Sequence, residues 1–207
     1  ARLLEGRRRT PPPAASPGRG RAHRREHDGR PPLPADAEEA ERGGLGDDLG
    51  VDGGRRDEGV GRGVAGGATV ILNPAPARKL PRARYAQLDW ITPNETEAEI
   101  LTGVRVTDVA SARRARDWFQ ARGVGHVLVT LGAKGVYCGD CDRIFPSRRV
   151  KAVDCVAAGD TFNGAFAVAL AEGRDCADAI AFAQKAAAIS VTRPGAQSSI
   201  PFRRELP

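Results

Sequence analysis

The run Asp154-Cys-Val-Ala-Ala-Gly-Asp-Thr-Phe-Asn-Gly-Ala-Phe166 carries the densest chemical information in the chain. Its small residues let the backbone approach a ligand closely. Phe162, Ala165, Phe166, Ala169 and Leu170 recur at helical spacing, so a helix must begin inside the run. A helix start offers unbonded N–H groups and the positive end of a dipole to an anion. Asp160 would stand at the mouth of that anion hole. A carboxylate there can take a proton from an attacking hydroxyl while neighbouring amides stabilise charge on a transferring phosphoryl group. The plainer alternative is that Asp160 only caps the helix, a role worth roughly 1 kcal/mol.

Two further segments invite the same double reading. Asn94-Glu-Thr-Glu97 spells a capping box, with Asn94 as N-cap and Glu97 three residues on. Thr130-Leu-Gly-Ala-Lys-Gly135 follows a strand and supplies two glycines, which suits a loop lying against phosphates, but it lacks the Walker spacing. Asp154 by itself reads as a turn residue before the Ala-Ala-Gly bend. Other signals are set aside. Cys138-Gly-Asp-Cys141 has zinc or redox spacing, yet no second Cys or His pair stands at a suitable distance. His23-Arg-Arg-Glu-His27 matches a metalloprotease pattern but lies in a Pro- and Arg-rich stretch with no apolar helical face. His126 reads as a satisfied core or edge residue, and the sequon Asn94-Glu-Thr96 has no use in a cytoplasmic protein.

The elements that would position these residues alternate. Short β-branched runs at 68–72 and 88–92, each closed by proline, read as buried strands. A helix is expected from Glu95 to Leu101 with Gly103 past its end. A second runs from Asp108 to Arg122, where Val109, Ala112, Ala115 and Phe119 share one face. His126 to Thr130 is the clearest central strand, and 135–138 with 144–153 suggest antiparallel edge strands. An Ala-rich helix from 177 to 191 closes the series. Strands alternating with helices mean a layered α/β sandwich around a mixed sheet.

Composition divides the chain. Residues 1–66 are an Arg-, Gly- and Pro-rich low-complexity segment, and every aromatic lies beyond position 84. So little apolar surface cannot offset the entropy of ordering, and this segment is expected to be disordered. It is also what GC-rich DNA yields when translated out of frame; an intact frame continuing upstream would contradict that. The net charge of +6 sits mostly on residues 67–207, since from residue 66 onward 19 Lys and Arg face 14 Asp and Glu. This argues against a nucleic-acid arm at the head and leaves positive charge for an anionic ligand. Four cysteines and no apolar leader or long apolar run suggest a reduced, cytoplasmic protein with no membrane span. Met is absent and the chain opens with Ala, which points to truncation.

The run 154–166 resembles the signature of the ribokinase-like (PfkB) carbohydrate kinases. Ile71-Leu-Asn-Pro-Ala-Pro-Ala77, Thr92-Pro-Asn-Glu-Thr-Glu-Ala98, Val129-Thr-Leu-Gly-Ala-Lys-Gly135 and Val191-Thr-Arg-Pro-Gly-Ala-Gln197 are similar to family blocks in the family's order. The resemblance implies a three-layer α/β/α sandwich and ATP-dependent phosphorylation of ribose to ribose 5-phosphate. It implies Asp160 as general base and Ala157, Ala158 and Gly159 as anion hole. It places Asn94 and Glu97 near the phosphates and the water shell of Mg2+. Thr130, Gly132, Lys134 and Gly135 would meet ATP, with Gln184 near the adenine. A monovalent cation such as K+ would be held by Asp154, Val156, Ser190, Arg193, Gly195 and Ser199, mostly through backbone carbonyls. The family forms homodimers.

The similarity starts only near residue 68, so the fold is expected to be incomplete. The first strands, the lid and the loops that grip the sugar have no counterpart in residues 1–66. An exposed sheet edge should remain, a dimer is not expected, and turnover by this chain should be slight or nil. Two other classes stay open. One is an inactive nucleotide-binding fragment, separated from the enzyme by ribose-dependent ADP formation. The other is an Arg-rich nucleic-acid binder on residues 1–66, which would need steeply salt-dependent DNA binding.

Overall fold

The computed structural model describes residues 60–206 except 62 and 64. The expectations for the Arg-rich head, including His23 and His27, fall outside the described residues but for its last few positions. Packing reaches back to Val60, which is buried in the core, and Gly63 lies so close to Val70 that a Cβ would stand 2.9 Å from its side chain.

One mixed sheet organises the fold. Its strands are β1 (Ile71–Leu72), β2 (Trp90–Ile91), β3 (His126–Thr130), β4 (Val136–Cys138) and β5 (Arg143–Phe145), in spatial order 1-2-3-4-5. The first three are parallel; β4 and β5 fold back antiparallel. The helices are α1 (Arg82–Tyr85), α2 (Glu95–Thr102), α3 (Val109–Gln120), α4 (Ala158–Ala171) and α5 (Cys176–Ser190).

The strands bury both faces, and their side chains alternate between two cores. Ile91, Val127, Val129 and Tyr137 face the core shared with Leu101, Ala112, Ala115 and Phe119 of α2 and α3. Trp90, Leu128, Val136 and Cys138 face the other, shared with Phe162, Phe166, Ala169, Ile180 and Ala183 of α4 and α5. The result is the expected α/β/α layering. Ala112 and Ala115 let α3 lie close to the sheet, and Phe119, fully buried one turn on, fills the space they leave. Truncating such a phenylalanine to Ala costs about 3 to 5 kcal/mol.

The helices expected after Asn94 and from Asp108 start where the sequence places them, and the capping box predicted at Asn94 is present. Asn94 and Glu97 bond each other's backbone N–H at 2.8 Å, Asp108 and Ser111 close an equivalent box, and Gly103 ends α2 at φ +73°. The expected strand 144–153 is corrected: β5 ends at Phe145. Pro146 has no N–H to continue the ladder, and residues 147–152 leave the sheet. The strand expected at 68–72 is paired only at 71–72. Among the described residues β1 pairs with β2 alone, so its outer edge has no partner strand.

Candidate functional site

A cleft of about 850 Å³ opens at the ends of β2 and β3 where the parallel strands finish, the position at which open α/β sheets take ligands. It is lined by residues from every motif: Asn94 and Glu97, Thr130, Gly132 and Gly135, Ala157 through Asp160, and Gln184. The backbone itself joins the first two groups, since Thr130 N–H donates to the Pro93 carbonyl at 2.9 Å and Asn94 bridges Thr130.

The start of α4 is built by the chain direction rather than by a cap. Ala157 adopts the left-handed region at φ +60° and makes no side-chain cap bond. For a residue with a Cβ this conformation costs about 1 to 2 kcal/mol, the kind of strain that clusters at ligand clamps. Asp160 lies in the first turn, is exposed and bonds no other described residue, so the capping alternative for it is not what the fold uses. Open space lies above Gly132 and Gly159, where a Cβ would meet nothing within 4 Å. Beside Asp160, the Thr161 hydroxyl is buried without a partner, an arrangement native proteins seldom leave away from functional positions. The turn is braced from behind: Asn163 donates to the Gly159 carbonyl at 2.9 Å and receives the Thr92 hydroxyl at 2.6 Å.

Gly135 is fixed sterically. It sits at φ +116°, and a Cβ would fall 2.0 Å from the Phe145 carbonyl oxygen. The same carbonyl accepts from Gln184 Nε2 at 2.9 Å, so Gln184 anchors α5 to the end of β5 while lining the cleft. Lys134 does not line the cleft; its ammonium pairs with Glu95 at 3.0 Å on the surface. Sequence reasoning missed Arg148 and Arg149, which bring two guanidinium groups to the cleft wall. Their signal was hidden because 144–153 read as a strand.

Of the six residues assigned to a monovalent cation, Asp154, Val156 and Gly195 are tied together next to the start of α4, and Val191, between Ser190 and Arg193, bonds the same loop. Asp154 accepts from Val156 N–H and from Gly195 N–H, each at 2.9 Å, which ties the two loops together and holds its carboxyl below the ordinary range. Val191 carbonyl accepts from Val153 and Asp154, and the Ser190 and Ser199 hydroxyls bond backbone carbonyls. The Arg193 guanidinium pairs with Glu205 instead, so Asp154 is bonded by backbone N–H groups and by no basic side chain among the described residues, and an oxygen donor of this kind suits a hard cation.

Residues 63–203 match the model of the pfkB family carbohydrate kinases. A ribokinase of Haemophilus influenzae is 54% identical over 141 residues, 67% of this chain and 46% of that protein. The crystal structure of ribokinase from Thermotoga maritima superposes with TM-score 0.62 at 48% identity, covering 67% of this chain and 48% of that one. Ribokinase of Arabidopsis thaliana complexed with ribose and ATP gives TM-score 0.66 at 32% identity, covering 71% and 49%. The chain thus spans about half the length of the relatives it matches.

Proposed function

Because this chain belongs to the pfkB family of carbohydrate kinases, we propose that residues 67–207 carry the nucleotide and phosphoryl-transfer site of an ATP-dependent kinase that phosphorylates ribose at its primary hydroxyl. The observation that carries this reading is the single cleft into which Asn94, Gly132, Gly159 and Asp160 open from three separate segments.

In this reading the phosphates of ATP lie over Gly132 and Gly159, where no Cβ intrudes. The amides of Gly159 and Asp160, at the positive end of α4, stabilise charge on the transferring group. Asp160 accepts the proton of the attacking sugar hydroxyl. Thr130 and Gly135 support the nucleotide along the end of β3, and Gln184 holds the adenine side of the wall through its bond to Phe145. Arg148 and Arg149 add positive charge facing the polyphosphate.

Two ions fit the residues present. Mg2+ would be reached through water by Glu97, whose Oε2 is engaged by the cap while Oε1 bonds no described residue, and it would neutralise phosphate charge. K+ would sit by Asp154 with the carbonyls of Val156, Ser190, Arg193, Gly195 and Ser199, and would add positive charge beside the anion hole.

The coverage of only half of each relative favours a second reading for the polypeptide as it stands: a nucleotide-binding unit with little turnover of its own. A chimera separates the two. Residues 67–207 replace the matched part of the Haemophilus ribokinase, and ribose-dependent ADP formation is measured for the chimera and for the 207-residue chain. The proposal expects an active chimera and a chain with slight or no turnover. An inactive but folded chimera contradicts the kinase assignment.

A further inference from the structure

Three cysteines that lie apart in the sequence meet at the pole opposite the cleft. Cys138 ends β4 and is fully buried; Cys176 opens α5 and is half-buried; their sulfurs stand 3.6 Å apart. Cys141, exposed in the β4–β5 turn, donates its backbone N–H to the Cys138 sulfur at 3.4 Å. The sequence offered only the Cys138–Cys141 pair, and the fold adds Cys176 from a position 38 residues on. Among the described residues no group of three or more His, Cys, Asp or Glu side chains could hold a metal ion.

The sulfurs lie about 1.6 Å beyond a covalent S–S bond of about 2.05 Å, so they are already in contact and the bond needs them to close by that much. They also share a proton. The hydrogen bond from Cys176, reinforced by the Cys141 N–H, holds the Cys138 thiol down to about 6, and the same contact pushes Cys176 up. Near neutral pH the pair therefore carries one thiolate, the form that reacts with oxidants.

We propose that Cys138 and Cys176 are a redox-active pair that small hydroperoxides convert to a disulfide. The Cys138 thiolate attacks a peroxide oxygen that enters past the half-exposed Cys176. The O–O bond breaks, hydroxide leaves, and Cys138 becomes a sulfenic acid. The Cys176 sulfur then attacks the Cys138 sulfur, the S–O bond breaks, and the departing hydroxide takes the Cys176 proton as water. Two sulfurs each lose one electron and the peroxide gains two. A small thiol in excess reverses the step by thiol–disulfide exchange. The bond staples β4 to α5, the helix whose later turns wall the cleft. This chemistry is independent of the kinase reading.

The test uses the full chain, reduced, desalted and exposed to millimolar hydrogen peroxide, then alkylated and digested with trypsin without reductant. Mass spectrometry should find peptide 135–143 joined to peptide 175–185, with two of the four thiols lost per chain. The link should persist in Cys141→Ser, vanish in Cys176→Ser and disappear on adding dithiothreitol. A link that disappears in Cys141→Ser overturns the proposal. So does a product in which only Cys141 or Cys155 is oxidised, or one joined solely between Cys138 and Cys141.

Discussion

The two poles of the sheet treat their polar groups in opposite ways. At the far pole nearly every charge is answered: His126 bonds Asp140 at 2.7 Å, and Asp142 receives Arg113 and the Tyr137 hydroxyl, which hold its carboxyl down to about 2. At the cleft pole the Asp160 carboxylate, the amides of Gly159 and Asp160 and the space above two glycines meet no protein partner among the described residues. Satisfied charges at one end stabilise the fold; unsatisfied ones at the other are held in place by backbone geometry and stay open to the cleft.

The largest expected effect breaks the cleft pole alone. In the active chimera, Asp160→Ala should lower kcat by about 10² to 10⁴ while the KM for ATP shifts only a few-fold, because the proposed role of the carboxylate is on the sugar hydroxyl. Unchanged kcat would remove Asp160 from the chemistry. Next, Gly135→Ala drives a Cβ into the Phe145 carbonyl at an unfavourable φ, and urea unfolding of the full chain should show a loss of about 3 kcal/mol or more. The same substitution at Gly132, whose φ is +54° but which faces open space, should lose less stability and more nucleotide affinity.

Asn94 sharpens the contrast further, because its box and its place in the cleft can be separated. Asn94→Ala should cost about 1 kcal/mol through the lost cap. Asn94→Asp keeps the cap, so a weakened ATP affinity in that variant would report the cleft role by itself. The smallest effect belongs to the far pole. The hydrogen bond that the His126 ring donates to the Asp140 carboxylate raises its pKa above the ordinary value, so the pair's stabilisation is full below about 6.5 and fades as pH rises through the higher folded value. The ring is 45% exposed, which limits the gain to under about 1 kcal/mol. Unfolding of His126→Asn should lack this pH dependence.

Much of this contrast was legible in the sequence. Periodicity located α3, α4 and β3 because their apolar faces are long enough to repeat, and the Asn94–Glu97 capping box marked the start of α2. The edges were harder. Two-residue strands such as β1 carry no period, and the wall formed by 147–152 looked like a strand because alternation continues past Pro146. The cleft residues were named through the resemblance of the motifs at 94–97, 130–135 and 154–166 to the kinase family, whereas Arg148, Arg149 and the approach of Cys176 to Cys138 depend on which helix packs against which strand. No local pattern records that.

Amide hydrogen exchange on the full chain, with and without ATP and Mg2+, tests the central claim most directly. The account predicts that nucleotide slows exchange together at 94–97, 130–135 and 157–160, and leaves the far-pole turn at 139–142 unchanged. Protection confined to the far pole, or no protection in a folded chain at saturating ATP, would contradict it.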